Sequence, residues 1–167
     1  MNKELQKDTP FKELMDARLR MQGDNAHHLE LVCDHEGVSW INHSIATTVD
    51  LTWYALRDLS SSVILIIGGI DKGGEHHKLK ELVNEKVETI ICLGTTPWIY
   101  TSVFKDDVKL MVTAPTVNDA VKLAGKLITK ETKTILFSPS CPSYDAFDNY
   151  RNRGDKFKIS VKEHVRK

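Results

Sequence analysis

Three polar turns in the chain carry the residue types best suited to hold a small anionic ligand. The first is Gly68–Gly74 (GGIDKGG), where four glycines let a ligand approach the backbone and Lys72 can pair with a carboxylate or phosphate. The second is Ser138–Asp145 (SPSCPSYD), a segment rich in hydroxyl groups that leads to a predicted helix N-terminus at Ser143. The first backbone N–H groups of a helix can bind an anion. The third is Trp40–Thr48 (WINHSIATT), which leads from a strand through a polar turn to a helix.

Each of these turns also has an ordinary structural explanation. The first is compatible with a solvated lysine in a Gly-rich turn, the second with plain helix capping by Ser143, and the third with a hairpin edge and an N-cap. The first turn also lacks the GxxxxGK[ST] of a phosphate loop and the GxGxxG of dinucleotide-binding domains. An unrelated Rossmann-type nucleotide-binding domain is therefore disfavoured, and no single turn identifies the ligand.

Cysteine and histidine residues do not indicate a catalytic or metal centre. The three cysteines are odd in number and form no CxxC pair, and no base is placed to activate Cys141. In His27-His28 and His76-His77, adjacent side chains point in different directions and no third ligand follows at metal-binding spacing. We therefore predict solvent-exposed imidazoles, no metal site and no catalytic residue.

The elements that must position the turns are those of an α/β domain. Short apolar runs predict strands at 63–67, 89–94, 109–112 and 134–139, and apolar residues at helical spacing between them predict helices at 78–84, 97–104 and 117–129. Crossovers of this length require parallel pairing, so the turns lie at the carboxyl edge of the sheet, where open α/β sheets bind ligands.

Flanking segments predict the remaining elements. Residues 29–33 and 38–42 read as a β-hairpin with a four-residue polar connection at 34–37. A helix is expected at 49–56 and another along the tail from 143 to 166, interrupted at Gly154. A further helix is compatible with residues 11–21, within a segment 1–22 that we interpret as a linker or N-terminal extension to a domain at 23–167.

Length and composition narrow the class of protein. A chain of 167 residues suits one domain, and 23 basic against 23 acidic residues create no global field that would recruit nucleic acid or an anionic membrane. The charged N-terminus does not resemble a signal peptide, and the longest apolar run is too short to span a bilayer. These features predict a cytoplasmic protein.

Taken in order, the three turns resemble the C-terminal domain of the Mur ligases, most closely of those that join D-glutamate to UDP-N-acetylmuramoyl-L-alanine. That family shows a hairpin followed by WINDSKATN, then an apolar strand ending in GG.xKG, then SP.CxSxDxFxxFxxRG. The chain offers WINHSIATT at Trp40–Thr48, GGIDKG at Gly68–Gly73, and a third match from Ser138 to Gly154. The last match is the most specific, and the likeness covers about residues 23–165.

The resemblance implies a Rossmann-like domain with a mostly parallel sheet of about six strands and an N-terminal hairpin. It further implies that Lys72, Thr47, Ser143, Tyr144 and Tyr150 bind D-glutamate. A cation, hydroxyl groups and a helix N-terminus are also what a dicarboxylate requires physically. ATP and Mg²⁺ are implied for the full-length enzyme, held mainly by a central ATPase domain, with a further domain for the UDP-linked substrate.

The positions that contact nucleotide in the family are altered. His28 stands where HRxE has arginine, and His43 and Ile45 stand where NDSKAT has aspartate and lysine. Ile45 offers neither charge nor a side-chain hydrogen bond, whereas His43 could still bond a ribose hydroxyl. Two hypotheses follow: the chain is the amino-acid-binding domain of a longer ligase and inactive alone, or it is a non-catalytic pseudo-ligase module that has lost its ATP contacts.

Overall fold

A six-stranded sheet with helices on both faces forms the domain. The computed structural model describes residues 26–60, 62–143 and 147–167, so the predicted helix at 11–21, the domain boundary near residue 22 and Tyr144 lie outside the described residues. The strands are β1 (Glu30–His35), β2 (Val38–Asn42), β3 (Val63–Gly68), β4 (Val87–Leu93), β5 (Leu110–Ala114) and β6 (Thr134–Phe137). The helices are α1 (Val49–Asp58), a 3-10 helix (His76–Leu79), α2 (Lys80–Lys86), α3 (Pro97–Phe104), α4 (Val117–Leu127) and α5 (Tyr150–Val165).

Central strand β3 is buried on both faces, as its uninterrupted apolar sequence predicts. On one face, Leu65 and Ile67 share a core with residues of α1, α2 and α3. On the other face, Ile64 and Ile66 share a core with residues of α4 and α5. The predicted α/β class and mostly parallel six-stranded sheet are confirmed. None of the helices in the described part of the chain is long and apolar enough to cross a bilayer.

The strand order β1-β2-β6-β3-β4-β5 places a topological switch point between β3 and β6. These two strands run parallel, with Ile64 beside Ile135 and Ile66 beside Phe137. From β3 the chain passes to the layer that contains α2, whereas from β6 it passes to α5 in the opposite layer. The two exits diverge and open a crevice at the carboxyl edge, where ligands bind in sheets of this class.

The predicted hairpin is antiparallel β1–β2, but its connection is shorter than the sequence suggested. The register pairs His35 with Val38, so only Glu36 and Gly37 form the turn. Both have positive φ angles, 50° and 81°, as a two-residue type I′ turn requires. Asp34 belongs to β1, where it pairs with Ser39, and its carboxylate accepts a hydrogen bond from the Ser39 hydroxyl at 2.6 Å. The four-residue connection was therefore wrong.

Helix α5 starts later than the sequence indicated and is not interrupted. Its N-cap is Asn149, whose side chain accepts from the backbone N–H of Asn152. It continues through Gly154, where an added Cβ would collide with His27 and Ser44. Glycine is required here by close packing against the loop before α1. The predicted break at Gly154 was wrong, and so was the helix start at Ser143.

Lys86 closes the C-terminal end of α1, and its replacement should weaken the fold. Its ammonium donates to the carbonyl oxygens of Leu56, Arg57 and Leu59 at 2.9, 2.8 and 2.7 Å. The last carbonyl groups of a helix lack partners within the helix. A cation there also interacts favourably with the negative end of the helix dipole. We expect Lys86→Met to lower the free energy of unfolding in urea by about 1–3 kcal/mol. A loss no larger than that of Lys122→Met, at an exposed lysine on α4, would contradict this capping role.

Candidate functional site

A cavity of about 310 Å³ lies at the switch point, and we call it the switch-point cavity. Three segments line it: the loop before α1 with the first turn of that helix, the turn after β3, and the segment that leaves β6. Among the lining residues are Thr47, Lys72, Ser140 and Pro142. The structure thus brings together two of the predicted D-glutamate ligands and the segment that contains a third, Ser143.

The turn after β3 is closed from within by a carboxylate. Asp71 Oδ1 accepts hydrogen bonds from the backbone N–H of Gly74 at 3.1 Å and from Nε2 of His76 at 3.0 Å. Burial alone would raise the pKa of Asp71, but the hydrogen bonds from His76 and Gly74 outweigh it and hold that pKa below its usual value. Lys72 therefore lies in a turn whose backbone is held in place by Asp71.

His76 and His27 are buried, so the prediction of solvent-exposed imidazoles was wrong for one member of each pair. The His76 side chain is 2% exposed, hydrogen-bonded to Asp71 and packed 4.8 Å from the Tyr100 ring. His27 lies within hydrogen-bond distance of the Ser44 hydroxyl at 3.1 Å and the Asn42 amide at 3.2 Å. Hydrogen bonds and ring contacts with residues distant in sequence allow these polar side chains to be buried. No group of metal-binding side chains occurs in the described part of the chain.

Backbone contacts fix the segment after β6 on several sides. Ser138 donates its N–H to Ile66 O at 3.1 Å and shares a 2.8 Å hydroxyl contact with Thr52. The carbonyl of Pro139 accepts from the N–H of Gly68 at 2.9 Å. Ser143 is buried, and its carbonyl accepts from Phe147 N at 3.1 Å. Ser143 therefore lies within a constrained segment and does not cap α5.

Arg153 joins two of the segments that surround the cavity. Its guanidinium is 1% exposed and donates through Nη1 to Cys141 O at 2.9 Å and through Nη2 to Ser44 O at 2.8 Å. Burial lowers the pKa of this guanidinium from its usual high value. The resemblance to the Mur ligases implied no binding role for Arg153. Its spacing from Phe157 and Val161, which both lie on the buried face of α5, was the signal that could have revealed a buried arginine.

The other predicted ligand with a described position, Tyr150, lies apart from these residues. Its ring is 6.1 Å from that of His27 and 5.2 Å from the Arg151 guanidinium, at the start of α5. Tyr150 is not among the described residues that line the switch-point cavity. Cys141 is buried beside Gly69, and burial raises the pKa of its thiol to about 11, which disfavours the thiolate.

The altered nucleotide positions lie on the other side of the loop before α1. His28 and His43 have ring centroids 5.2 Å apart and line a second cavity of about 250 Å³. Nδ1 of His43 accepts from Leu29 N at 3.1 Å, which leaves Nε2 as the donor to Leu51 O at 3.2 Å. Both ring nitrogens are therefore already used by the backbone, and a ribose hydroxyl would have to displace one of these bonds. Ile45 donates its N–H to His27 O and brings no polar side chain.

His43 should make the stability of the domain depend on pH. Burial lowers its pKa from 6.5 to about 4, so the unfolded chain binds more protons than the folded chain between these values. Stability from this residue is complete above the unfolded pKa and is lost as the pH falls from 6.5 towards 4. For His43 alone we expect about 2 kcal/mol less unfolding free energy at pH 5 than at pH 7. The dependence should shrink in His43→Asn but persist in His77→Asn, and an unchanged slope in His43→Asn would contradict this assignment.

Comparisons with known proteins identify relatives of this chain. No family model matches the chain. A UDP-N-acetylmuramoylalanine–D-glutamate ligase from Christiangramia forsetii is 43% identical over 136 residues, which are 81% of this chain and 30% of the relative. Its counterpart from Porphyromonas gingivalis is 41% identical over 135 residues, again 81% of this chain and 30% of the relative. The chain thus spans about a third of the length of these relatives.

Solved structures show the same fold at lower sequence identity. MurF from Acinetobacter baumannii superposes with a TM-score of 0.57 and 14% identity, over 90% of this chain and 34% of that protein. MurF ligase from Thermotoga maritima, determined with ADP, gives a TM-score of 0.52 and 11% identity, over 93% and 37%. The sequence matches show that this chain resembles the C-terminal domain of UDP-N-acetylmuramoylalanine–D-glutamate ligases, and the solved structures show that it shares the fold of a Mur ligase domain.

Proposed function

We propose that the switch-point cavity binds D-glutamate and that the chain serves as the amino-acid-binding domain of a ligase that forms an amide bond in peptidoglycan precursor synthesis. The observation that carries the proposal is the meeting of Lys72 and Thr47 with the segment after β6 in one cavity at the carboxyl edge. The name and activity of the relatives, D-glutamate ligases, supply the identity of the amino acid.

The charges around the cavity favour an amino acid over a polyphosphate. The cavity lining contains two basic residues, Lys72 and Lys78. It also contains three acidic residues, Asp50, Asp71 and Glu75. A zwitterion can place its carboxylates near a cation and its ammonium near an acid, whereas a polyphosphate would meet repulsion from the same acids. In the reaction, this domain would hold the amino acid so that its amine faces an activated carboxyl group supplied from outside the domain.

ATP and Mg²⁺ would be held mainly outside this domain, in a central ATPase domain of a full-length parent, alongside a domain for the UDP-linked substrate. A phosphate group does not fit the altered positions, since His43 has both ring nitrogens occupied and Ile45 has an apolar side chain. No catalytic step is therefore assigned to ATP here. These same two residues favour a second candidate, a non-catalytic module that keeps the amino-acid cavity without nucleotide contacts.

Calorimetric titration of the chain with D-glutamate, L-glutamate and ATP tests the proposal. We expect D-glutamate to bind more tightly than L-glutamate, and ATP to give no measurable heat. Binding of neither amino acid would overturn the proposed site. Phosphate release that depends on ATP and D-glutamate then separates the two candidates in a full-length parent, because turnover supports the ligase and its absence supports the non-catalytic module.

A further inference from the structure

Ser140 differs from its neighbours in the segment after β6. The neighbouring residues make hydrogen bonds to other elements, whereas the Ser140 hydroxyl makes none in the described part of the chain. The backbone or side chains of Ser138, Pro139 and Cys141 all have named partners in β3, α1 or α5. Ser140 is 2% exposed, and its Oγ has no hydrogen-bond partner among the described residues. A buried hydroxyl without a partner destabilises the folded state, so serine is a poor choice here for stability alone.

The backbone at Ser140 adds a second cost. Its φ angle is +60°, in the left-handed region that glycine occupies freely and that other residues enter only with backbone strain. Glycine at this position would remove the backbone strain and the unpartnered hydroxyl together. Strain of this kind is concentrated at sites that bind ligands, where the surrounding structure enforces it.

The location of Ser140 supplies a use for the hydroxyl. Ser140 lines the switch-point cavity with Thr47 and Lys72, and Arg153 holds the carbonyl of the next residue, Cys141, in place. Because Ser140 lines the cavity, a change between staggered χ1 rotamers is the motion that would bring Oγ to a ligand there. The hydroxyl would then donate to an oxygen near the cation, which suits a carboxylate.

We propose that Ser140 is a further ligand-binding residue whose hydroxyl donates a hydrogen bond to a carboxylate of the amino acid held by Lys72. The inference rests on the proposed function and extends it, because the resemblance to the Mur ligases implied binding by Ser143 and not by Ser140. Ser140 contacts the bound amino acid and carries no charge, so it adds affinity and orientation and not general acid or base chemistry.

Two properties measured on the same variants test the inference. D-Glutamate affinity is measured by calorimetry and unfolding free energy by urea denaturation, for wild type, Ser140→Ala, Ser140→Gly, Lys72→Ala and the exposed-site control Ser102→Ala. We expect Ser140→Ala and Ser140→Gly to bind D-glutamate about tenfold or more weakly, since a hydrogen bond to a charged group is lost. Ser140→Gly should at the same time unfold at a higher urea concentration than wild type, whereas Ser102→Ala should leave affinity unchanged.

A purely structural serine would give the opposite pattern. If Ser140→Ala binds like wild type while Lys72→Ala loses binding, the Ser140 inference fails and the proposed function stands. If Ser140→Gly unfolds at a lower urea concentration, the hydroxyl has a structural partner and the inference fails as well. If wild type itself binds no amino acid, the proposed function fails and the inference falls with it.

Discussion

Lys72→Ala is expected to weaken D-glutamate binding by at least about 30-fold, because the variant loses a charge-assisted bond worth about 2 kcal/mol or more. Lys72 lies in the turn that Asp71 closes through Gly74 and His76, and it lines the cavity. Calorimetric titration of the variant measures the affinity, and urea denaturation checks that the variant remains folded.

Lys78→Ala provides a matched control within the same cavity. Lys78 also lines the cavity, but its ammonium is paired with the carboxylate of Glu75 at 2.5 Å. We expect its removal to change D-glutamate affinity by less than about threefold. Glu75 already offsets the charge of Lys78, and solvent screens this exposed pair, so the Lys78 ammonium should contribute little to ligand binding. Equal losses of D-glutamate affinity in the two variants would mean that binding depends only on the net charge of the cavity. The specific role of Lys72 would then be wrong.

Arg153→Ala should destabilise the domain more than the loss of any surface charge, by about 3–5 kcal/mol in unfolding free energy. The substitution leaves the carbonyls of Ser44 and Cys141 without donors in a buried region and removes the volume of a large side chain. Urea denaturation measures the loss, and Arg153→Lys should recover part of it by keeping one donor. A change below about 1 kcal/mol, comparable with Arg151→Ala at a neighbouring exposed arginine, would contradict the linking role of Arg153.

The core strands and most helices were predictable because their signals are local. β3 is buried on both faces and its sequence is apolar at every position, and α3 begins with Pro97 at its N-terminus and ends at Phe104, as the pattern indicated. The place of β6 between β2 and β3 was not available from local pattern, since it depends on which strand edges remain free once the others have paired. Local pattern predicted the α/β class and the parallel pairing, whereas only the resemblance to a known domain implied a sheet of about six strands.

The candidate site was predicted in part. Lys72 and Thr47 do share a cavity, because β2, β6 and β3 run parallel and their carboxyl ends lie at the same edge of the sheet. The helix start at Ser143 was wrong because the segment after β6 is held by β3 and by Arg153 before the chain turns into α5. The burial of His27 and His76 was missed for the same physical reason: their partners Ser44 and Tyr100 are distant in sequence and no local pattern indicates them.

Titration of the isotope-labelled chain with D-glutamate, followed by amide chemical shifts, tests the central claim most directly. If the switch-point cavity is the amino-acid site, the shifts will be confined to residues 45–50, 69–75 and 138–143, with little change along β5 and α4. Saturable shifts centred on β5 or α4, with the turn around Lys72 unaffected, would contradict the assignment of the cavity and with it the proposed function.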